Sequence, residues 1–173
     1  ILVIFNINVK IFFIYFESNS LLLLINKLFA LNHFTFNRCG MIHIEKLNGL
    51  DKRLYELVAP LIMNPVVLRK NRNYPFKTTR KYIWYVAVED DAVVSFLPVE
   101  FRDNQAIINN YYVSGDKPGV LSELIAQAVR EYDDNYNLVS VTLNEHIDAF
   151  KENGFGVRLE WKHYVKMSRK QDE

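Results

Sequence analysis

The sequence predicts one α/β (α+β) domain with a mixed, mostly antiparallel central sheet and helices on both faces. Three observations predict it. From Met41 onward, short runs with a two-residue apolar period alternate with segments of helical period. Three successive strand-like runs are separated only by tight polar turns, so they must pair antiparallel. A strand-like run then passes through a Gly/Pro loop into an amphipathic helix, and another apolar run follows, which makes the sheet mixed.

The elements follow in order. Met41–Leu47 alternates and reads as a strand. Asn48–Asp51 is a turn, with Asp51 placed to cap the next helix. Lys52–Met63 puts Leu54, Leu57, Val58 and Leu61 on one helical face, while Pro60 and Pro65 imply a broken helical connection. Residues 64–80 are polar and basic and read as a short helix plus loop. Lys81–Glu89 is a strand, Asp90-Asp91 a hairpin turn, and Val93–Phe101 the next strand. Pro98 inside that strand implies an edge position or a bulge. Arg102–Gln105 turns the chain again into a third strand, Ala106–Val113.

Ser114–Gly119 is a tight loop. After it Val120, Leu121, Leu124, Ile125, Ala128, Val129 and Tyr132 recur at helical spacing, with Pro118 in the first turn and Asp116 as a cap. Leu138–Leu143 reads as a buried strand. Ile147–Asn153 is a short helix closed by Gly154 in the left-handed position. Val157–Met167 alternates strictly and reads as one long strand, with Val157, Leu159, Trp161, Val165 and Met167 on one face.

Composition narrows the class. The 173 residues suffice for one domain, half are hydrophobic and 24% are charged, which allows a real core and excludes global disorder. A net charge of +1 gives no strong nucleic-acid signal. Cys39 is the single cysteine, so neither an intramolecular disulfide nor a cysteine metal cluster is available, and a reducing, cytoplasmic setting is expected. His43, His146 and His163 lack ligand-like spacing, so no metal is expected.

Residues 1–40 differ from the rest. They are rich in Ile, Leu, Phe and Asn, and Met41 is the first methionine. Their apolar runs are shorter than the ~20 residues that span a bilayer, and a secretory n-region and cleavage site are missing. The preferred reading is an apolar extension translated from AT-rich upstream sequence and not part of the natural protein. Residues 41–173 then form the domain, with no cysteine and a charge near −1 (18 basic, 19 acidic). The alternative is an apolar N-terminal helix packed on the domain or on a partner.

The element order and three local texts resemble the GCN5-related N-acetyltransferase family over about Met41 to Met167. The texts are the strand–loop–helix Ile107–Val129, the segment Ala149–Phe155 (AFKENGF), similar to the family's Tyr-x-x-x-Gly-Phe, and the closing strand from Val157. The resemblance implies an acyl-CoA N-acyltransferase-like fold, acetyl-CoA (coenzyme A) as co-substrate, and transfer of the acetyl group to a small-molecule or protein amine. It implies that the strand Asn109–Val113 pairs its backbone with the pantetheine arm. The loop and first turn from Ser114 to Leu121 would then cradle the pyrophosphate, at the free N–H groups and positive dipole end of a helix.

The cofactor-binding residues so implied are Tyr112, Val113, Lys117, Gly119, Val120, Leu121, Asn144 and Phe150. The catalytic candidates are Glu100 as the nearest acid for a general base, and Tyr111 or Tyr112 as a hydroxyl donor. Three departures stand out. Asp116 occupies the loop's Arg/Gln position, where a carboxylate repels pyrophosphate and Lys117 would have to serve instead. Leu121 occupies a small-residue position and would crowd the backbone approach. Phe150 replaces a tyrosine that in many members protonates the departing thiolate.

These departures motivate the runner-up, a non-catalytic binding or regulatory module of the same fold. The basic run Arg69, Lys70, Arg72, Lys77, Arg80 and Lys81 motivates a third reading, a modifier of charged tRNA, and otherwise reads as solvated surface. No membrane association is expected of residues 41–173, and a homodimer is compatible with the sequence. The cofactor reading requires the strands Ala106–Val113 and Leu138–Leu143 to run parallel and then splay at their C-terminal ends.

Overall fold

The computed structural model describes residues 3–7, 10–14, 41–115 and 117–169. The chain forms two units, Ile1–Cys39 and Gly40–Glu173. In the first, Val3–Ile7 (β1) pairs antiparallel with Lys10–Ile14 (β2), from Val3 opposite Ile14 to Ile7 opposite Lys10. The helical alternative therefore fails for these residues, whose Ile, Val and Phe content suits a strand. The remaining readings of residues 1–40 fall outside the described residues. No helix among the described residues is long and apolar enough to cross a membrane.

In the second unit, His43–Asn48 (β3) leads into two helices, Lys52–Ile62 (α1) and Pro65–Lys70 (α2). Tyr82–Glu89 (β4), Ala92–Arg102 (β5), Gln105–Ile108 (β6) and Tyr112–Val113 (β7) follow. Then come Pro118–Tyr132 (α3), Asn137–Leu143 (β8), a 3₁₀ turn over Asn144–His146, and Ile147–Glu152 (α4). Gly156–Glu160 (β9) and Tyr164–Ser168 (β10) end the described chain's regular structure. The strands form one mixed sheet in the order β3-β4-β5-β6-β8-β10-β9, with β7 beside β5. Among the described residues only β6 and β8 pair parallel; the other ladders are antiparallel.

The core lies on both faces, and the pleat assigns residues to each. On β4, Trp84, Val86 and Val88 pack with Phe96 and with Leu54 and Val58 of α1. Tyr85 and Ala87 face the other way, onto Leu121, Leu124, Ile125 and Ala128 of α3 and Phe150 of α4. Coverage on both sides explains why Tyr82–Val88 reads as a continuous apolar run.

Several expectations change. Asp51 sits at the α1 N-cap position, but its carboxylate accepts from the Asn48 backbone N–H at 2.6 Å and side-chain amide at 3.2 Å, closing the turn instead of capping the helix. Pro60 lies inside α1, and the break falls after it, where Asn64 caps α2 through its side-chain oxygen on the Val66 N–H at 2.8 Å. Asp116 lies outside the described residues. Gly154 has φ +81°, as the helix end requires.

The long closing strand is instead a hairpin. Strict alternation runs through its turn, where the Trp161 N–H donates to the Tyr164 carbonyl at 2.8 Å. Val165 and Met167 are buried, while Val157 and Leu159 on the edge strand β9 and Trp161 in the turn are exposed. A periodicity that survives a turn cannot reveal it.

The third strand also divides. Residues Asn109–Tyr111 leave the ladder between Ile108, opposite Val99, and Tyr112, opposite Phe96. Three residues thus face two, Leu97 and Pro98, which is a bulge. Asn110 at its centre adopts φ +53°. Pro98 is therefore neither at an edge nor in its own bulge; the bulge is on the neighbouring strand. The Phe101 N–H donates to Lys81 of the β4 side at 2.8 Å, so by alternation the Pro98 nitrogen faces the bulge, where no ladder bond is missed.

The left-handed backbone of Asn110 costs roughly 1 kcal/mol. Its side chain offsets this: the oxygen accepts from the Asn71 amide, and the nitrogen donates to the Pro75 carbonyl at 3.0 Å. Each bond contributes about 1 kcal/mol net. Asn110→Gly, which keeps the backbone conformation and loses the bonds, is expected to lower the urea midpoint less than Asn110→Ala, which loses both. A loss of about 2 kcal/mol is expected for the alanine variant, at unchanged m-value.

Candidate functional site

The bulge opens the sheet. β6 pairs with β8 from Gln105 opposite Asn137 to Ile108 opposite Ser140, and there the parallel ladder ends. β7 then bonds only to β5, while β8 continues to Leu143. Between them lies a cleft of about 600 Å³, walled by Tyr111, Tyr112 and Val113 on one side and Val141 and Leu143 on the other. Ser114 and Gly115 lie at the loop end of the cleft lining. Lys70, Asn71 and Phe76 line it from the α2 region, His146 from the 3₁₀ turn after β8, and Tyr164 from β10.

The backbone of β7 is aimed at this gap. The Ser114 N–H donates to the Val94 carbonyl of β5 at 2.9 Å. In an extended chain the preceding residue points its polar groups the other way, so Val113 directs its N–H and C=O toward β8.

Tyr111 and Tyr112 point to opposite faces, and both line the cleft. The Tyr112 ring packs on Phe96, with ring centroids 5.5 Å apart. The Tyr111 ring packs toward the other core, 5.9 Å from Phe150 and 5.5 Å from the His146 ring. Its hydroxyl is bonded to Thr142 Oγ1 and lies 2.9 Å from His146 Nδ1. Burial pushes the Tyr111 phenol up and the His146 imidazole down, with Glu145 opposing the latter. Both groups are therefore neutral at pH 7.

The other sequence-derived residues fall in varied places. Glu100 is buried on β5, with its carboxylate 2.8 Å from Arg102 Nη2. It pairs with Tyr82, whose phenol burial and the nearby Glu100 carboxylate push up to about 12. It stands four residues along β5 from Phe96, the partner of Tyr112, or about 13 Å at strand rise. It is not part of the cleft lining, so the cleft does not bring it to Tyr111 and Tyr112.

Leu121 is 1% exposed and packs in the core, so it does not crowd the loop. Phe150 is fully buried beneath Tyr111 and does not fill the cleft. The Lys117 ammonium donates to Glu89 at the end of β4, at 2.9 Å, instead of reaching over the loop. Gly119 is exposed, and a Cβ there would meet nothing within 4 Å. Pro118 brings no N–H, and the Val120 N–H turns back to the Lys117 carbonyl at 3.2 Å. Asn144 donates its side-chain amide to the Lys162 carbonyl at 3.3 Å and accepts no described bond from the cleft; it clips the 3₁₀ turn to the β9–β10 turn.

The rim is basic. Arg69, Lys70, Arg72 and His163 surround an outer hollow with Asn144 and Glu145, and Arg72 lies over the Tyr164 ring at 5.9 Å. In the sequence His146 stands out only as one of three histidines without ligand-like spacing, and nothing local marks Thr142 or Tyr164. The available signal was position: His146 follows the C-terminal end of the strand that pairs in parallel, where clefts in such sheets open.

No protein-family model matches the chain, and no curated protein matches its sequence. Solved structures do match in shape. ElaA from Escherichia coli superposes with a TM-score of 0.56 at 18% identity, over 75% of this chain and 100% of that one. An acyl-CoA N-acyltransferase from Pseudomonas aeruginosa gives a TM-score of 0.59 at 14% identity, with 75% and 100% covered. The ribosomal-protein-S18-alanine N-acetyltransferase from Escherichia coli gives 0.57 at 12% identity, with 74% and 92% covered. Together with the strand order and the splayed parallel pair, these likenesses establish that the chain has the fold of the GCN5-related N-acetyltransferases.

Proposed function

We propose that this protein is an acyl-CoA-dependent N-acetyltransferase. The observation that carries the reading is the gap between β7 and β8, lined on one side by the outward-facing backbone groups of Val113. A pantetheine arm is an extended chain of amides. It can pair with Val113 as a strand would, and its thioester then reaches the Tyr111–His146 end of the cleft. At Gly115 and Gly119, before and at the start of α3, an added Cβ would meet nothing within 4 Å, which supports a pyrophosphate approaching the backbone there.

The acceptor is a small-molecule or protein amine. The cations Arg69, Lys70 and Arg72 on the rim favour an amine that carries an acidic group nearby. Catalysis of this kind relies chiefly on holding amine and thioester in line. A non-catalytic module of the same fold is the second reading, favoured by the replacement of a tyrosine by the buried Phe150.

Calorimetric titration of the full chain with acetyl-CoA is expected to show saturable binding. Absence of heat and of thermal stabilisation at millimolar cofactor overturns the proposal, while binding without free-thiol release against a broad amine panel favours the module.

Val113→Pro tests the backbone pairing. The proline removes an N–H that makes no ladder bond with β5, so the fold is expected to survive. Acetyl-CoA affinity is expected to fall about tenfold, the value of one lost hydrogen bond. Unchanged affinity would place the cofactor elsewhere.

A further inference from the structure

Phe150 occupies the position at which a tyrosine would supply the leaving-group proton, yet a phenol stands directly over it. The Tyr111 ring lies 5.9 Å from the Phe150 ring, reaching the same region from the neighbouring strand. It is there because the bulge at Asn110 takes Tyr111 out of the β5 ladder and turns it toward β8.

The hydroxyl is set in a chain of polar groups. His146 Nδ1 is 2.9 Å away, and Thr142 Oγ1 is the second partner. His146 Nε2 lies 3.9 Å from the Glu145 carboxylate. With the proton on Nε2, the nitrogen nearer that carboxylate, Nδ1 is an acceptor and the Tyr111 O–H donates to it; Thr142 Oγ1 is the phenol's other hydroxyl partner and itself lies 3.4 Å from the Leu143 carbonyl. Tyr111 is itself part of the cleft lining, next to Tyr112 and Val113.

We infer that Tyr111 and His146 form a two-residue proton relay for acyl transfer, with Tyr111 as the catalytic residue and His146 as the positioning residue behind it. The inference rests on the acetyltransferase reading above. As the amine nitrogen bonds to the thioester carbonyl carbon, its proton passes to the Tyr111 oxygen, while the Tyr111 hydroxyl proton passes to His146 Nδ1. When the tetrahedral intermediate collapses, the C–S bond breaks. The departing thiolate takes the proton from Tyr111, and His146 returns its own to Tyr111. The relay ends as it began, and no external acid or base is consumed.

The buried Glu100 is not needed, and neither is a tyrosine at residue 150. His146 suits the part because burial keeps it unprotonated near neutrality and so ready to accept. The titratable groups around it are Tyr111, Glu145 on its own turn, Tyr164 from β10 and Lys70 from the α2 side of the cleft.

The test uses the full chain, with Tyr111→Phe, His146→Gln and the double variant. Acetyl-CoA affinity is measured by calorimetry, and turnover by free-thiol release with an amine panel across about pH 5 to 9. Both single variants are expected to keep cofactor affinity and lose about 10²-fold in kcat, with the double variant no worse than either. The unaltered protein is expected to lose activity on the acidic side of the ordinary imidazole value, where Nδ1 is protonated. That limb should vanish in His146→Gln.

Turnover by Tyr111→Phe at the unaltered rate, or survival of the acidic limb in His146→Gln, overturns the relay and leaves the acetyltransferase reading standing. A protein that binds acetyl-CoA but transfers to no amine sinks both. Failure to bind acetyl-CoA sinks the parent proposal first. Independently of the variants' folding, the ring nitrogens of His146 in the unaltered protein should report the Nε2–H tautomer by ¹H–¹⁵N spectroscopy. An Nδ1–H tautomer overturns the relay.

Discussion

The interruption of one strand at Asn109–Tyr111 governs the rest of this structure. Without it, β6 and β7 would be a single strand bonded to β5 along its length, and the parallel ladder with β8 could continue. With it, the ladder to β8 stops at Ile108, the two strands part, and a cleft exists. The interruption is held from both sides. Pro98 on β5 has no N–H to offer the missing partner, and Asn110 is tied to the α2–β4 segment through Asn71 and Pro75. A backbone conformation that is costly in isolation is thus kept by groups from two other parts of the chain.

That arrangement couples the cleft to elements far from it in sequence. Asn71, Pro75 and Phe76 lie in the segment that follows α2, and Asn71 and Phe76 also line the cleft. Phe76 meets Phe96 edge-on with ring centroids 5.2 Å apart, and Phe96 in turn packs on Tyr112. The loop after α2 therefore rests on the same aromatic stack that seats the strand end.

Much of the architecture was legible in the sequence, because local periodicity reports local structure. The hairpins around Asp90-Asp91 and Arg102–Gln105, the helix after Pro118 and the helix end at Gly154 each have a residue-level cause that acts within a few positions. The misreadings share one origin. Asp51 has the right type and place for a cap but bonds backward to Asn48, because the turn amide competes for the same oxygens. The residues Val157–Met167 keep their alternation through a turn, so no pattern marks the point where the edge strand folds back. Pro98 signalled an irregularity correctly, but the sequence could not say which of two strands carries it.

The candidate site was legible in outline only. Tyr111, Tyr112 and Val113 could be placed on the strand before the loop, and their alternation fixed opposite directions for the two tyrosines. The sequence by itself determined the element order, the apolar faces and the strand–loop–helix unit, since these depend on spacing of 2 and 3.6 residues and on Gly and Pro at turns. Only the tertiary structure decided that Tyr111 meets His146 and Thr142, residues more than thirty positions away. It alone decided that Lys117 turns to Glu89. Those choices depend on which strands become neighbours and where their ladders end, and pairing across the chain leaves no mark in the local spacing of residues.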